Sequence, residues 1–266
     1  MQHKTARERF FMNKLKIQNV SKSFENEKIL DNISIELNKG ELVSLLGASG
    51  SGKTTLFNVI SGLTKPDCGQ VLLDEEDITG TSGHIAYMLQ KDLLMPHKTI
   101  IDNVALPLII KETKGSGGIL PFAGNKKEAR QMVAPYFADF GLEGTENKYP
   151  HQLSGGMRQR AALLRTYMFS KEIALLDEPF SALDTLTKSE MHRWYLEVMD
   201  KINLSTLFIT HDIDEAILLS DRIYLLSGKP GTIKDEIIIK EPKPRSAEFM
   251  LTEEFLNYKR LILSKL

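Results

Sequence analysis

The residues best suited to chemistry lie in a short glycine-rich stretch. Residues 47–54 match the pattern GxxxxGK[ST], follow an apolar run typical of a strand, and precede a helical run. Glycines let backbone N–H groups turn towards a phosphate, and the start of the helix adds positive potential. Lys53 is predicted to reach the β- and γ-phosphates of a nucleotide, and the Thr54 hydroxyl to bind Mg²⁺. The predicted nucleotide contacts here are Gly47, Ala48, Ser49, Gly50, Ser51, Gly52, Lys53, Thr54 and Thr55.

Two adjacent acids follow another apolar run. Residues 173–176 read Ile-Ala-Leu-Leu, and Asp177 and Glu178 come next. A phosphate loop of this kind needs an acid at the end of a neighbouring strand to hold Mg²⁺, and Asp177 is predicted to fill that role. Glu178 is predicted to polarise the water molecule that attacks the γ-phosphate. A strand that simply ends in two solvent-facing acids is the alternative, which the phosphate loop upstream disfavours.

A second helix start has the composition of an anion site. Residues 153–159 read LSGGMRQ and begin a strong helical pattern. Ser154 is a natural N-cap, and Gly155 and Gly156 leave backbone N–H groups open. Capping alone explains the serine but does not require two glycines. The sequence therefore predicts a second phosphate-binding segment at these three residues.

The elements that must position these residues follow from hydrophobic spacing. Alternation at Ile33, Ile35 and Leu37 predicts a half-exposed antiparallel strand. Continuous apolar runs are typical of strands buried on both faces of a parallel sheet. They lie at residues 42–46, 173–176, 206–209 and 223–226. Residues 100–169 have a mostly helical pattern, interrupted by a glycine-rich stretch at 114–125. The predicted fold class is α/β, with a helical insertion.

Composition limits the functions open to the 266 residues. The formal net charge is −1, which argues against recognition through a broad basic face, so we expect no nucleic acid partner. Cys68 is the only cysteine, so no disulfide can form within the chain. No stretch approaches the roughly 20 apolar residues that a membrane-spanning helix needs. We expect the chain neither to span a membrane nor to be secreted.

Together the motifs resemble those of ABC transporter nucleotide-binding subunits. The phosphate loop, LSGGMRQ, LLDEP and a later histidine occur in that family's order, over residues 14–245. LSGG is the family signature, and Met157 stands where glutamine is common. The resemblance implies a P-loop NTPase core with a parallel central sheet, an antiparallel β subdomain and an α-helical subdomain inserted at about 95–170. Residues 1–13 would form a flexible extension, and residues 246–266 a carboxyl-terminal helix.

The resemblance also implies roles for single residues. Glu178 and His211 would be catalytic, with His211 contacting the γ-phosphate. Asp184 would belong to a loop that links two ATP sites across a dimer. Phe24 would stack on adenine, and a core phenylalanine on an early strand is the alternative. Gln90 would contact Mg²⁺ and sense the permease. The implied Mg²⁺ ligands are Thr54, Gln90 and Asp177.

The implied cofactors are ATP and Mg²⁺, and the implied partner is a second ATPase subunit, most simply an identical copy. In this family residues 154–156 close over the ATP of the other subunit, so two subunits in a two-fold arrangement enclose two ATP molecules. The sequence has no membrane domain. The resemblance therefore implies separate integral membrane permease subunits, an extracytoplasmic solute-binding protein, and a peripheral location on the cytoplasmic face of the plasma (inner) membrane.

Shorter segments resemble the nitrate, sulfonate and taurine importer branch, which includes importers of thiamine-precursor pyrimidines. They lie at residues 103–106, 149–153, 179–184 and 228–231. They imply import of a small anionic or heterocyclic solute. The alternatives are an ATPase of a multisubunit exporter and a soluble ABC ATPase without a permease. The stretch at 114–125 is longer than usual in this branch; a tolerated surface insertion is the simpler interpretation, and a permease contact the alternative.

Overall fold

A computed structural model describes residues 13–114 and 125–266. The predicted amino-terminal extension, apart from Asn13, lies outside the described residues, as does the interior of the glycine-rich stretch at 114–125. Asn13 already begins the first strand, where it pairs with Asn38. The division of the remainder into a domain over 14–245 and a terminal helix over 246–266 stays a prediction.

Ten strands and eight α-helices occur in the described ranges. The strands are β1 (Asn13–Phe24), β2 (Glu27–Asn38), β3 (Leu42–Leu46), β4 (Cys68–Leu73), β5 (Glu76–Asp77), β6 (Ala86–Met88), β7 (Ile173–Asp177), β8 (Ser205–Thr210), β9 (Arg222–Ser227) and β10 (Thr232–Ile238). The α-helices are α1 (Lys53–Ile60), α2 (Ile100–Lys114), α3 (Lys126–Val133), α4 (Tyr136–Asp139), α5 (Gly155–Phe169), α6 (Thr185–Ile202), α7 (Ile213–Leu219) and α8 (Glu253–Leu263). Short 3₁₀ helices, Pro150–Gln152 and Ala247–Leu251, precede α5 and α8.

The strands form two sheets. One is antiparallel, in the order β2-β1-β4-β5, and the other has six strands in the order β10-β9-β3-β8-β7-β6. In the larger sheet β10 is antiparallel to β9, and the remaining pairs are parallel. Every residue of β3, β7 and β8 is buried, as expected for parallel strands covered on both faces. The predicted fold class is confirmed.

Apolar side chains cover both faces of the larger sheet. Leu175 of β7 belongs to a cluster that includes residues of both sheets and Phe57 of α1. The next residue along β7, Leu176, belongs to a second cluster with α2, α5 and α6, which includes Phe137 and Leu164. Because side chains alternate along a strand, neighbouring residues of β7 contribute to different cores. The helices between β6 and β7 therefore pack on one face of the sheet.

A buried guanidinium fastens the carboxyl-terminal segment to the sheet domain. Arg245 is 7% exposed and donates to the carbonyl oxygens of Ile217, Leu218 and Ser220 at 2.8, 3.2 and 2.7 Å. It also donates to the Glu241 carbonyl oxygen at 2.7 Å. The carbonyl groups at the end of α7 have no partner within that helix. Arg245 supplies the missing donors and holds the chain beyond β10 against α7.

The last helix, α8, packs against α7, which begins just after His211. Phe255 and Ile262 of α8 are buried in a third cluster that includes side chains of α7. Lys259 of α8 also pairs with Asp214 of α7, with 2.7 Å between Nζ and Oδ1. The carboxyl-terminal helix therefore supports the helix that follows His211.

Arg245→Met is expected to lower the free energy of unfolding by about 3 kcal/mol, because several buried carbonyl oxygens lose their donor. Urea-induced unfolding followed by circular dichroism measures the change. Arg260→Met, on the exposed side of α8, is the control and should stay within about 0.5 kcal/mol of the unsubstituted chain. Equal stability of the two variants would contradict the fastening role of Arg245.

Candidate nucleotide-binding site

The phosphate loop lies between β3 and α1 and is packed tightly against a neighbouring turn. A Cβ atom on Gly47 would lie 2.3 Å from the Leu226 carbonyl oxygen, so only glycine fits there. The turn between β9 and β10 is equally close, since a Cβ atom on Gly231 would lie 2.2 Å from the Ser51 carbonyl oxygen. Contacts with β9 and the following turn therefore hold the shape of the phosphate loop.

Lys53 begins α1 and is only 7% exposed. Its Nζ donates to the carbonyl oxygens of Gly47 at 2.8 Å and Ala48 at 2.9 Å. Burial lowers the pKa of Lys53, while the charges of Glu178 and Asp177 oppose that shift. The ammonium group is thus held inside the loop and next to the acidic pair.

The loop offers donors suited to a triphosphate. Residues 47–52 form the loop, and Thr54 and Thr55 follow Lys53 in the first turn of α1. The Ser51 hydroxyl is buried and has no hydrogen-bond partner within the described chain. The first amides of a helix also lack intrahelical partners and carry positive potential. Phosphate oxygens would satisfy these groups, so the residues fit the predicted nucleotide.

Asp177 ends β7 beside the phosphate loop. Its Oδ2 accepts from the Thr54 hydroxyl at 3.5 Å and from the Tyr87 hydroxyl at 3.3 Å. Burial raises the pKa of Asp177, and the hydrogen bond from Tyr87 opposes that shift. Carboxylate, hydroxyl and phosphate oxygens form the donor set typical of Mg²⁺ in nucleotide sites. Across 13–114 and 125–266, no group of three or more His, Cys, Asp or Glu side chains could hold a metal ion.

The Glu178 carboxylate, at the end of one strand, contacts side chains that follow two other strands. Its φ is 46°, in a region that few residues other than glycine adopt. Oε1 lies 3.0 Å from His211 Nδ1, and Oε2 accepts from Gln90 Nε2 at 3.4 Å. Gln90, Glu178 and His211 follow β6, β7 and β8. The carboxyl ends of these parallel strands meet at one edge of the sheet, which brings the three predicted residues together.

Two predicted residues have contacts other than Thr54 and Asp177. Gln90 donates to Glu178 and to the Ser181 hydroxyl at 3.3 Å, so its role as a Mg²⁺ ligand stays a prediction. Phe24 ends β1 in the antiparallel sheet and is 49% exposed. This exposure makes the core alternative for Phe24 wrong and leaves an aromatic surface of the kind that stacks on a base.

The segment that begins α5 faces the start of α6. Ser154 caps α5, since its hydroxyl oxygen accepts from the Met157 N–H at 3.3 Å. A Cβ atom on Gly156 would lie 3.4 Å from Thr187 Cγ2. Asp184 caps α6 by accepting from the Thr187 N–H at 3.1 Å. Among the described residues, no hydrogen bond joins this group to the phosphate loop.

Two arginines that the sequence analysis did not single out tie α5 to the loop after Gln90. Arg158 Nε donates to Asp92 Oδ2 at 3.3 Å. Arg165 donates to the Leu93 carbonyl oxygen at 2.7 Å and to the Asp92 carbonyl oxygen. The two arginines are seven positions apart on the helix, a spacing that places them on one face and that could have identified them.

Among residues 13–114 and 125–266, no helix is long and apolar enough to cross a membrane.

A family model for ABC transporters matches residues 30–181. The chain belongs to the ABC transporter family. The resemblance inferred from the phosphate loop and the LSGG segment is therefore confirmed.

Relatives of this ABC transporter family member include named import subunits. The formylaminopyrimidine import ATP-binding protein of Halalkalibacterium halodurans is 45% identical over 202 residues, which cover 76% of this chain and 74% of that protein. The aliphatic sulfonates import ATP-binding protein of Bacillus cereus is 36% identical over 253 residues, which cover 94% of each chain. A solved dimeric ATP-binding cassette bound to ADP and Pi has a TM-score of 0.67 and 30% identity, and the match covers 86% of this chain and 100% of that one.

Asp177→Asn is expected to weaken Mg²⁺-dependent ATP binding about 10- to 100-fold, because a neutral amide replaces the charged metal partner. Titration with a fluorescent ATP analogue, with and without Mg²⁺, measures the change. Tyr87→Phe removes only a hydroxyl that donates to Asp177 and is the matched control, expected within about threefold of the unsubstituted chain. Full Mg²⁺ dependence in the asparagine variant would exclude Asp177 as a metal partner.

Proposed function

We propose that this chain binds and hydrolyses ATP to power a separate membrane permease, and that it works together with a second copy of itself. The observation that carries the proposal is the position of the Glu178 carboxylate. It lies 3.0 Å from His211 Nδ1 and 3.4 Å from the Gln90 amide nitrogen, directly after the strand that places Asp177 beside the phosphate loop. A carboxylate held in this way is suited to activating water next to a bound triphosphate.

Within one subunit the residues have distinct tasks. The phosphate loop would hold the triphosphate, and Phe24 would stack on adenine. Thr54 and Asp177 would hold Mg²⁺, which neutralises phosphate charge when bound. Glu178 would accept a proton from water as the water oxygen bonds to the γ-phosphorus and the bond to ADP breaks. His211 would orient Glu178 and contact the γ-phosphate.

A second copy would complete each site. Ser154, Gly155 and Gly156 present a helix start that is suited to a phosphate, and in their own chain Gly156 lies against Thr187 and Met191 of α6. Asp184 caps the same helix, α6. In a head-to-tail dimer, this group would close over the triphosphate held by the partner. The dimeric form of the related cassette supports this arrangement.

The permease would consist of separate integral membrane subunits, with this chain bound at the cytoplasmic face of the plasma (inner) membrane. The inserted helices, about 95–170, would provide the contact. Relatives named for import of formylaminopyrimidine and of aliphatic sulfonates support an importer of a small anionic or heterocyclic solute. An extracytoplasmic solute-binding protein would deliver that solute. ATP binding would favour the closed dimer and hydrolysis would release it, because only ATP bridges both subunits.

Glu178→Gln is expected to reduce ATP turnover by about 10²- to 10⁴-fold, because the amide cannot accept the proton from water. ATP binding should remain, and the variant should accumulate as an ATP-bound dimer. Phosphate release and light scattering after size-exclusion chromatography measure these effects. Glu143→Gln, at an exposed position, is the matched control. Near-normal hydrolysis in the Glu178 variant would refute the proposed general base.

Co-purification tests the transport role. The tagged chain, expressed in its native cell and extracted gently with the membranes, is expected to bring integral membrane subunits with it. A solute-binding protein in the same complex would support import, and the ligand that it holds would identify the solute. If only soluble proteins co-purify, the proposed permease partner is wrong, although ATP hydrolysis by the chain would be unaffected.

A further inference from the structure

We propose that Lys188 is a positioning residue that sets the orientation of His211 from the first turns of α6. This inference rests on the proposed function and assigns a task to a charged cluster that the ATP site itself does not use. Lys188 lies one helical turn after Asp184, which caps α6. Its Nζ donates to Asp212 Oδ2 at 2.6 Å and lies 3.3 Å from Glu215 Oε1.

The next turn of α6 makes a second contact with the same partner. His192 Nε2 lies 2.8 Å from Glu215 Oε1, and the two residues are 8% and 4% exposed. The ring of Phe180, in the segment just after Glu178, packs edge-on against His192 with 5.1 Å between centroids. Lys188 and His192 are four residues apart and therefore share one face of the helix. That face binds the beginning of α7.

Asp212 transmits this contact to His211, its neighbour in the chain. The second carboxylate oxygen of Asp212 accepts from the N–H groups of Asp214 and Glu215, at 2.9 and 3.2 Å, and so caps α7. Burial opposes its charge, but the hydrogen bond from Lys188 and the backbone contacts keep the pKa of Asp212 below its ordinary value. One carboxylate thus binds α6 and α7 at the same time. Any displacement of Lys188 would move the residue beside His211.

Removal of the Lys188 charge would leave Asp212 Oδ2 and Glu215 Oε1 without the cation that they share. Glu215 is buried, with a side chain 4% exposed, so the loss of its cation is destabilising and favours rearrangement of the segment towards water. That segment includes His211, which must stay 3.0 Å from Glu178. The expected effect is therefore on the chemical step, not on the binding of ATP.

The cluster also connects the two halves of the proposed dimer. Asp184 belongs to the group expected to face the partner subunit, and Lys188 follows it on the same helix. Lys188 therefore lies between that group and Asp212, which it contacts at 2.6 Å.

The test compares ATP turnover and ATP-analogue affinity in the full chain with the lysine replaced. Lys188→Met should lower kcat about 10- to 100-fold, the cost of a displaced catalytic group, while the Kd of a non-hydrolysed ATP analogue stays within about twofold of its original value. Lys188→Arg, which can pair with both carboxylates, should restore most of kcat. Lys201→Met is the control on the same helix, because Lys201 is 63% exposed and lies 3.9 Å from Asp139; its kcat should not change.

Normal kcat in Lys188→Met would overturn the inference and leave the proposed function standing. Equal losses of kcat and of analogue affinity, or no recovery with arginine, would also overturn it, because they indicate a general structural defect. If Lys188→Met does not fold, as judged by thermal unfolding, Lys188→Gln takes its place under the same criteria. Absence of ATP hydrolysis by the unsubstituted chain would instead refute the proposed function.

Discussion

Strands β3, β7 and β8 have no face turned to water, so each needs a packed layer on both sides. Parallel strands connected by helices meet that need, and they leave all carboxyl ends at one edge of the sheet. The phosphate loop, the acidic pair and His211 each follow one of these ends. Burial of the central strands is therefore what brings together groups from distant parts of the chain.

The site works against the stability of the fold around it. Burial raises the pKa of Asp177. At neutral pH, ionisation of its carboxyl group therefore lowers the free energy of unfolding of the nucleotide-free protein. This penalty is absent below the ordinary pKa of aspartate, where the group is protonated in both the folded and the unfolded state. Burial likewise disfavours the charged form of Lys53, and Glu178 has a left-handed backbone. The three unfavourable features lie next to one another, where a bound nucleotide and Mg²⁺ would relieve the first two.

The sequence predicted elements and residues whose signals are local. The phosphate loop, the Ser154 cap and the buried runs that became β3, β7 and β8 each depend on a few consecutive residues. The contacts made by Tyr87 and Gln90 were not predictable, because their partners Asp177 and Glu178 are 90 and 88 positions away. Strand order decides such pairs, and no short pattern encodes it. Lys188 was missed because a lysine near a helix start usually faces solvent, and because its partner Asp212 lies 24 positions away.

The close approach of Gly231 to the Ser51 carbonyl oxygen has a consequence for how this chain can vary. A phosphate loop is usually regarded as a self-contained motif that tolerates change in distant sequence. Here its shape depends on close packing against a turn near the other end of the chain. A larger side chain in that turn would displace the phosphate loop. The sequences of the two segments are therefore expected to change together.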